Sequence, residues 1–276
     1  MQNAGIAALG LNWRYLAFDV HPDDLSAAIA GAGNMKFIGI NLTVPHKVLA
    51  VKLVDELDHS AKLWGAVNTI RFETRTAKGR WIPIGSALPE EVREIRSRGF
   101  NTDADAITRS LREDLGLRLR GAQVLLLGAG GAGRTAALKM ATSGVAQLFI
   151  VNRTPQKTAA LAREIHKSFP QVKVTAGYPA VKIDLMLNAT SLGLKRGDPL
   201  PFDRDQFSLG QAGSVYDMIY RPAETPLLRA ARGEGCRVAN GIGMLLHQGA
   251  EALEIWSGKK APVEIMRHAL KKNVYG

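Results

Sequence analysis

The middle of the chain alternates short apolar runs with segments of helical periodicity, and this alternation constrains the fold more than any other feature. Apolar runs that predict strands lie at residues 124–127, 148–151, 172–175, 183–187 and 215–218, with helical patterns at 132–143 and 155–168 between them. Such alternation is typical of a parallel sheet with crossover helices. Thr225 and Pro226 then predict the start of a last crossover helix, which leads to a strand at 237–239. We therefore predict a doubly wound α/β domain over residues 103–240.

The flanking segments predict a second, smaller α/β unit. Residues 1–102 contain helical patterns at 3–9 and 22–30, a helix opened by Pro45, and apolar runs that predict strands at 13–18, 37–42, 67–72 and 80–84. After residue 240 the pattern is helical, with Leu245, Leu246 and Leu253 on one face and no further strand. We predict domains at 1–102 and 103–240, with residues 241–276 forming helices that return to the first domain.

Composition excludes several classes of protein. The 276 residues contain one cysteine, Cys236, which rules out an internal disulfide framework and favours a cytoplasmic protein. No apolar run approaches the length of a membrane span, and the histidines lack metal-ligand spacing, so we expect neither a membrane partner nor a metal. The net charge of +11 comes without nucleic-acid-binding motifs. It fits small anionic ligands better than nucleic acid.

A glycine-rich motif follows the first strand of the predicted parallel sheet. Residues 128–133 read G-A-G-G-A-G between an apolar strand and a helix, as a dinucleotide-binding turn requires. Gly128 permits the tight turn, Gly130 lets the backbone approach a pyrophosphate, and Gly133 allows the helix to pack closely on the strand. The alternative is a glycine-rich turn without a ligand, but the flanks and spacing favour a cofactor.

The residues after the next strand indicate which dinucleotide binds. An NAD-binding site places Asp or Glu there to hold the ribose 2′-hydroxyl. This chain has Asn152, Arg153 and Thr154, with Lys157 one turn later. Arg153 can grip a 2′-phosphate with its planar guanidinium. The pattern therefore favours NADP(H), although Arg153 and Thr154 could instead cap the helix that starts at Pro155.

Several polar motifs together resemble the shikimate dehydrogenase family. They are N-L-T-V-P-H-K at residues 41–47, G-A-V-N-T at 65–69, N-T-D at 101–103, the glycine motif, N-R-T at 152–154, N-A-T-S-L-G at 188–193, Y-D-M-I-Y at 216–220 and N-G-I-G-M-L-L-H-Q-G at 240–249. They occur in the family's order over nearly the whole chain. The resemblance implies an NADP-binding Rossmann domain, a smaller substrate domain, and reversible reduction of 3-dehydroshikimate to shikimate in aromatic amino-acid biosynthesis, by a monomer or homodimer.

The resemblance also implies roles for individual residues. Lys47 would be the catalytic acid/base and Asp103 its charged partner. Substrate contacts would fall on Thr43, Asn68, Asp103, Tyr220 and Gln248. Cofactor contacts would fall on Gly128, Ala129, Gly130, Gly131, Ala132, Asn152, Arg153, Thr154, Lys157, Thr190, Ser191, Met218 and Gly241, with Thr190 and Ser191 on the nicotinamide side.

The lysine and the aspartate each have a plainer interpretation. Hydride delivery to a ketone builds negative charge on oxygen, which an ammonium group stabilises and protonates. The alternative for Lys47 is an exposed lysine at a helix start, but a cation there opposes the helix dipole, which favours a functional role. The alternative for Asp103 is an N-cap of the helix at 104–115. His46 is expected to orient the backbone. Asn188, at the end of a strand, is expected to fix a loop, with a contact to the cofactor ribose as a second role.

Two departures from the family pattern stand out. Family members open with a strand and a Ser-x-Ser segment that binds the substrate carboxylate, whereas this sequence opens at Met1 with Gln2 in place of the usual histidine. We expect either a start upstream or a divergent member of the family.

The second departure is an insertion at residues 86–99, whose sequence predicts an extra surface helix. The alternatives are therefore a quinate or aminoshikimate dehydrogenase, or a non-catalytic NADP-binding protein.

Overall fold

The computed structural model describes residues 1–276, and residue contacts divide them into two compact units. The first unit comprises Met1–Asp103 and Leu246–Leu270, and the second comprises Ala104–Leu245 and Lys271–Gly276. The divisions at 245/246 and 270/271 fall inside the last two helices, α9 (Ile242–Ser257) and α10 (Val263–Tyr275). The sequence pattern, in contrast, assigned everything after residue 240 to the first unit. No helix is long and apolar enough to span a membrane.

The first unit is built on a five-stranded mixed sheet. Its helices are α1 (Gln2–Ala8), α2 (Leu25–Asn34), α3 (His46–Leu49) and α4 (His59–Trp64), and its strands are β1 (Gly39–Asn41), β2 (Glu56–Leu57), β3 (Thr69–Arg75), β4 (Trp81–Pro83) and β5 (Ile95–Phe100). The order is β1-β3-β5-β2, with β4 paired to β3, and only the β2–β5 pair is parallel. Leu25 and Ile29 of α2 pack with Ile70 and Phe72 of β3 in the core. This sheet aligns the ends of β1 and β5 and the start of β3.

Part of the opposite face of that sheet carries charged side chains. Glu73 of β3 is 1% exposed and pairs with both Arg71 and Arg96. Arg96 lies 4.4 Å from the ring centroid of Trp81, a distance at which the cation is attracted to the ring. Burial by itself raises the pKa of Glu73, but hydrogen bonds from the two guanidinium groups and their charges outweigh it, so the net pKa is lowered.

The predicted helix within residues 86–99 is wrong. The segment forms 3-10 turns at Ile84–Ser86 and Pro89–Glu91 and then strand β5, which pairs with β3 over six residues. Acidic residues before basic ones suggested a helix, but the arginines alternate along a strand. Arg96 meets Glu73 and Arg98 meets Asp58 across the sheet. Residues 95–99 therefore belong to the sheet of the first unit, while most of residues 86–94 are exposed and form no helix beyond the 3-10 turns.

The predicted strand at residues 13–18 is also absent. No regular structure occurs between residues 11 and 20. The side chain of Asn3 instead satisfies the main chain of Tyr15: its Nδ2 donates to the Tyr15 oxygen at 3.0 Å, and its Oδ1 accepts from the Tyr15 nitrogen at 2.7 Å. A side-chain amide thus takes the place of a strand partner.

The second unit is an all-parallel six-stranded sheet, as the sequence predicts. Its strands are β6 (Gln123–Leu127), β7 (Gln147–Val151), β8 (Lys173–Ala176), β9 (Ile183–Asn188), β10 (Ala212–Asp217) and β11 (Arg237–Asn240), and its helices are α5 (Asp103–Leu115), α6 (Gly131–Thr142), α7 (Pro155–Ser168) and α8 (Pro226–Gly233). The order β11-β10-β9-β6-β7-β8 reverses direction beside β6. Ligands bind at such a switch point, outside the carboxyl ends of the strands.

Burial explains why these strands could be identified from sequence. Residues Val124, Leu125, Leu126 and Leu127 of β6 are all fully buried, because helices cover both faces of a parallel sheet. The last crossover helix begins as predicted: the Thr225 hydroxyl accepts from the Leu228 amide at 3.3 Å.

Candidate active site

Lys47 lies in the short helix α3, just after β1 ends at Asn41. His46 anchors this turn, since its Nε2 lies 2.9 Å from the Val20 oxygen, and the Lys47 carbonyl accepts from the Val67 amide at 2.8 Å. The Lys47 side chain is only 26% exposed, and its Nζ donates to Asp103 Oδ2 at 2.8 Å. Lys47 is therefore not a freely solvated lysine.

Asp103 follows β5, and a neighbouring amide sets its orientation. Asn101 Oδ1 accepts from the Asp103 amide at 3.1 Å, while Asn101 Nδ2 donates to the Ala66 oxygen at 3.0 Å. The Asp103 carboxylate accepts from Lys47 through Oδ2 and from Asn68 Nδ2 through Oδ1, the latter at 2.9 Å. Both carboxylate oxygens thus accept hydrogen bonds from side chains of the first unit, and Lys47, Asn68, Thr102 and Asp103 form one polar cluster.

Asn68 is the centre of this cluster and is 1% exposed. Its Nδ2 donates to Thr102 Oγ1 at 2.9 Å as well as to Asp103, and its Oδ1 accepts from the Thr102 amide at 2.9 Å. The Thr102 hydroxyl in turn donates to the Gln248 carbonyl at 3.0 Å. Thr43 is exposed at the end of β1, where its carbonyl accepts from the His46 amide.

Sequence reasoning did not single out Asn41 or Thr102. Asn41 donates to the Asn68 carbonyl at 3.2 Å and to Thr69 Oγ1 at 3.0 Å, and it accepts from the Tyr15 hydroxyl at 3.0 Å. Asn41 belongs to the motif that contains Lys47, and Thr102 belongs to the motif that contains Asp103. Membership of these motifs was the sequence feature that could have marked both as site residues.

The glycine motif of the second unit forms a tight strand-to-helix turn. Gly128 has a φ of +100°, a conformation that favours glycine, and its amide donates to the Val151 oxygen at 2.8 Å. A Cβ on Gly133 would lie 2.1 Å from the Gly128 oxygen, so only glycine fits there. A Cβ on Gly130 or Gly131 would meet nothing within 4 Å. This open space lies at the start of α6, where free amides and the helix dipole favour a phosphate.

Asn152 connects this loop to the end of β7. Its Oδ1 accepts from the Ala129 amide at 3.0 Å and its Nδ2 donates to the Thr154 oxygen at 2.9 Å. Thr154 makes no side-chain cap on α7, which removes the capping interpretation for that residue. Three side chains next to the loop are exposed: Arg153, Thr154 and Lys157. None of residues 152–154 is an aspartate or glutamate. The residues present fit a dinucleotide with a 2′-phosphate.

A cavity of about 610 Å³ opens within the second unit near the carboxyl ends of β9 and β10. Its walls include Ala132, Thr190, Met218 and Tyr220, four of the predicted site residues, together with Ala189, Leu194, Ile219, Arg221, Leu245, Asn273 and Val274. Gly241 lies behind this wall, and a Cβ there would come 2.1 Å from the Met218 oxygen. Ser191 is exposed and is not among the lining residues.

The parallel sheet, the glycine turn and the cavity at the strand ends define a dinucleotide-binding α/β protein. Family models match residues 1–70 (shikimate dehydrogenase substrate binding domain), 110–191 (shikimate / quinate 5-dehydrogenase) and 241–271 (shikimate 5′-dehydrogenase C-terminal domain). The chain belongs to the shikimate dehydrogenase family.

Two of the relatives compared in detail carry the family's name, and a third is a reductase of another substrate. A shikimate dehydrogenase (NADP(+)) of Moorella thermoacetica is 40% identical, and the match covers 99% of this chain and 87% of the relative. A crystal structure of a shikimate dehydrogenase in complex with NADP+ superposes with a TM-score of 0.81 at 32% identity, covering 99% of this chain and 90% of the other. A 5-ketofructose reductase of Gluconobacter sp. strain CHM43 has a TM-score of 0.79 at 30% identity, with coverage of 99% and 92%.

Proposed function

We propose that this protein is an NADP-dependent shikimate dehydrogenase that reversibly reduces 3-dehydroshikimate to shikimate. The observation that carries the proposal is the ion pair of 2.8 Å between Lys47 and Asp103, whose carboxylate also accepts a hydrogen bond from Asn68. The chain's relatives are named shikimate dehydrogenase (NADP(+)). The first unit would bind the substrate and the second the cofactor. The protein would work in the cytoplasm on small molecules, as a monomer or homodimer.

NADP(H) would be held by the second unit. The open backbone at Gly130 and Gly131 would take the pyrophosphate, while Asn152 shapes the loop and Arg153, Thr154 and Lys157 hold the 2′-phosphate. Ala129, Ala132, Thr190, Ser191, Met218 and Gly241 would complete the cofactor site. When bound, the reduced nicotinamide supplies the hydride.

The polar cluster of the first unit supplies the proton. The Lys47 ammonium stabilises negative charge that develops on a ketone oxygen and donates a proton from Nζ. Asp103 holds that ammonium in place, and its position is fixed by Asn68 and Asn101. Thr43, Asn68, Tyr220 and Gln248 would hold hydroxyl and carboxylate groups of the substrate.

A single assay tests this proposal. Purified protein is supplied with NADP+ and shikimate, and appearance of NADPH is followed at its absorbance band, with quinate offered in a parallel reaction. Reduction of 5-ketofructose by NADPH is the third reaction, because a reductase of that substrate shares the fold at 30% identity. Turnover that favours quinate or 5-ketofructose over shikimate would overturn the proposed substrate, and NADPH binding without turnover would indicate a non-catalytic protein.

Two lysine variants test the role of the pair. Lys47→Ala is expected to lower kcat by roughly 10²–10⁴-fold, the usual contribution of a positioned acid/base, while NADPH still binds. Lys52→Ala is the matched control, since Lys52 is exposed in the 3-10 turn that follows α3. Equal activity of the two variants would contradict the role assigned to Lys47.

A further inference from the structure

Two buried polar side chains meet at the carboxyl edge of the parallel sheet, where β9 ends at Asn188 and β10 ends at Asp217. The two residues are in register across the strands, and both are fully buried. Asn188 Nδ2 donates to Asp217 Oδ1 at 3.0 Å. A carboxylate in this environment is costly unless its oxygens are hydrogen-bonded, so the position calls for an explanation.

Each carboxylate oxygen of Asp217 also accepts a hydrogen bond from the loop that follows β10. Oδ1 also accepts from the Ile219 amide at 3.1 Å, and Oδ2 accepts from the Thr225 hydroxyl at 2.6 Å. Burial raises the pKa of Asp217, and these donors oppose that rise. The carboxylate thus fixes the main chain just beyond Met218.

Asn188 fixes the loop that follows β9 in the same way. Its Oδ1 accepts from the Thr190 amide at 3.0 Å and from the Thr190 hydroxyl at 2.7 Å, and its Nδ2 reaches the Leu192 oxygen at 3.3 Å. The Asn188 carbonyl accepts from the Met218 amide at 3.0 Å. The Asn188–Asp217 contact therefore joins the two loops side chain to side chain.

Both loops form walls of the 610 Å³ cavity, through Thr190 on one side and Met218 and Ile219 on the other. We propose that Asp217 is a positioning residue that acts through Asn188 to hold these two walls at the spacing the nicotinamide end of the cofactor requires. The inference rests on the proposed function, because it takes the cavity to be part of the NADP(H) site. Asp217 is fully buried, so it would act on the cofactor only through the two loops.

The test measures NADPH affinity together with KM values. Asp217→Ala removes the bridge and is expected to raise the NADPH dissociation constant and the KM for NADPH at least tenfold, while the KM for shikimate changes less than threefold. Asp217→Asn keeps an oxygen for Asn188 and Ile219 and turns its amide toward Thr225, whose hydroxyl can accept. This variant is expected to bind NADPH within threefold of wild type.

Thr225→Val is the matched control. It removes the donor to Oδ2 and the cap of α8, but it leaves the Asn188 side of the carboxylate intact. We expect a lower melting temperature with NADPH affinity within threefold of wild type. A loss of affinity as large as that of Asp217→Ala would overturn the proposal, because general destabilisation would then suffice.

Two further outcomes are decisive. Tight NADPH binding by folded Asp217→Ala also overturns the proposal. If that variant does not fold, Asn188→Ala breaks the bridge from the other side and decides the question by the same criterion. Wild-type protein that binds no NADPH would refute the proposed function instead, so the two failures are distinguishable.

Discussion

The same added methyl group should impair different properties at two glycines of the nucleotide loop: the stability of the fold at Gly133 and the affinity for NADPH at Gly130. A Cβ on Gly133 would lie 2.1 Å from the Gly128 oxygen and 2.8 Å from its carbonyl carbon. Both are main-chain atoms that cannot rotate away, so the end of β6 and the start of α6 must separate by roughly 1 Å to restore contact distance. A Cβ on Gly130 would meet nothing.

These distances set the expected magnitudes. Overpacking of this kind costs about 1–3 kcal/mol, and replacing glycine in a helix returns at most about 1 kcal/mol. Because the overlap at Gly133 is with main-chain atoms, its cost lies at the upper end of that range and leaves a net loss of about 2 kcal/mol. With about 2–4 °C per kcal/mol for a domain of this size, Gly133→Ala should lower the melting midpoint by about 4–8 °C. Gly130→Ala changes only the N-cap, at a cost of up to about 1 kcal/mol, but its methyl group occupies the space expected for the pyrophosphate.

Melting followed by far-UV circular dichroism and titration followed by NADPH fluorescence separate the two effects. We expect Gly130→Ala to melt close to wild type yet bind NADPH at least tenfold more weakly, a loss of about 1.4 kcal/mol. Gly133→Ala should show the larger fall in melting temperature. Wild-type affinity in Gly130→Ala, or an unchanged midpoint in Gly133→Ala, would refute this reasoning.

Three further predictions concern other parts of the chain. Arg153→Ala should weaken NADPH binding at least tenfold and leave NADH binding unchanged, as paired titrations would show; equal losses would contradict a 2′-phosphate contact. Glu73→Gln should destabilise the fold by about 2 kcal/mol at pH 7, since two partly exposed arginines lose their charge-assisted hydrogen bonds to the carboxylate. The pKa of Glu73 is lowered in the fold, so its stabilisation is present above the unfolded value near 4.5 and is lost as pH falls through the folded value. Urea unfolding of both proteins should therefore converge at acidic pH, and a gap that persists there would argue against the ion pairs. Cys236 is 8% exposed, and burial raises the pKa of its thiol, so iodoacetamide should modify it at pH 8 only after unfolding; rapid labelling of native protein would contradict this.

The parallel sheet was predictable because its strands are buried on both faces and bounded by helices. The sheet of the first unit was harder to predict, since part of one face is lined by ion pairs. Arg96 and Arg98 look like a solvated helix end in sequence, and only the distant partners Glu73 and Asp58 show that they belong to a strand. The strand predicted at residues 13–18 was wrong for a related reason. The main-chain nitrogen and oxygen of Tyr15 hydrogen-bond the side chain of Asn3, which lies far from them in sequence and outside any strand.

The candidate site shows the same limit. Lys47 and Asp103 are 56 residues apart, and no local pattern states that they meet; the family motifs supplied that link. The role of Thr102 depends on a hydroxyl that joins Asn68 to the carbonyl of Gln248, which only the folded structure brings together. Glycine requirements were easier to predict, since the strand-to-helix turn itself demands them at Gly128 and Gly133.

The division of the chain into two units also decides what its intrinsic fluorescence can report. The four tryptophans, at positions 13, 64, 81 and 256, all fall in Met1–Asp103 or Leu246–Leu270. The unit that contains the glycine loop has none. Unfolding followed by tryptophan emission, excited at a wavelength that tyrosine does not absorb, therefore reports only the unit with the Lys47–Asp103 pair, whereas an ellipticity curve follows both. A difference between the two midpoints would be a direct readout of the units losing structure separately, without any introduced label.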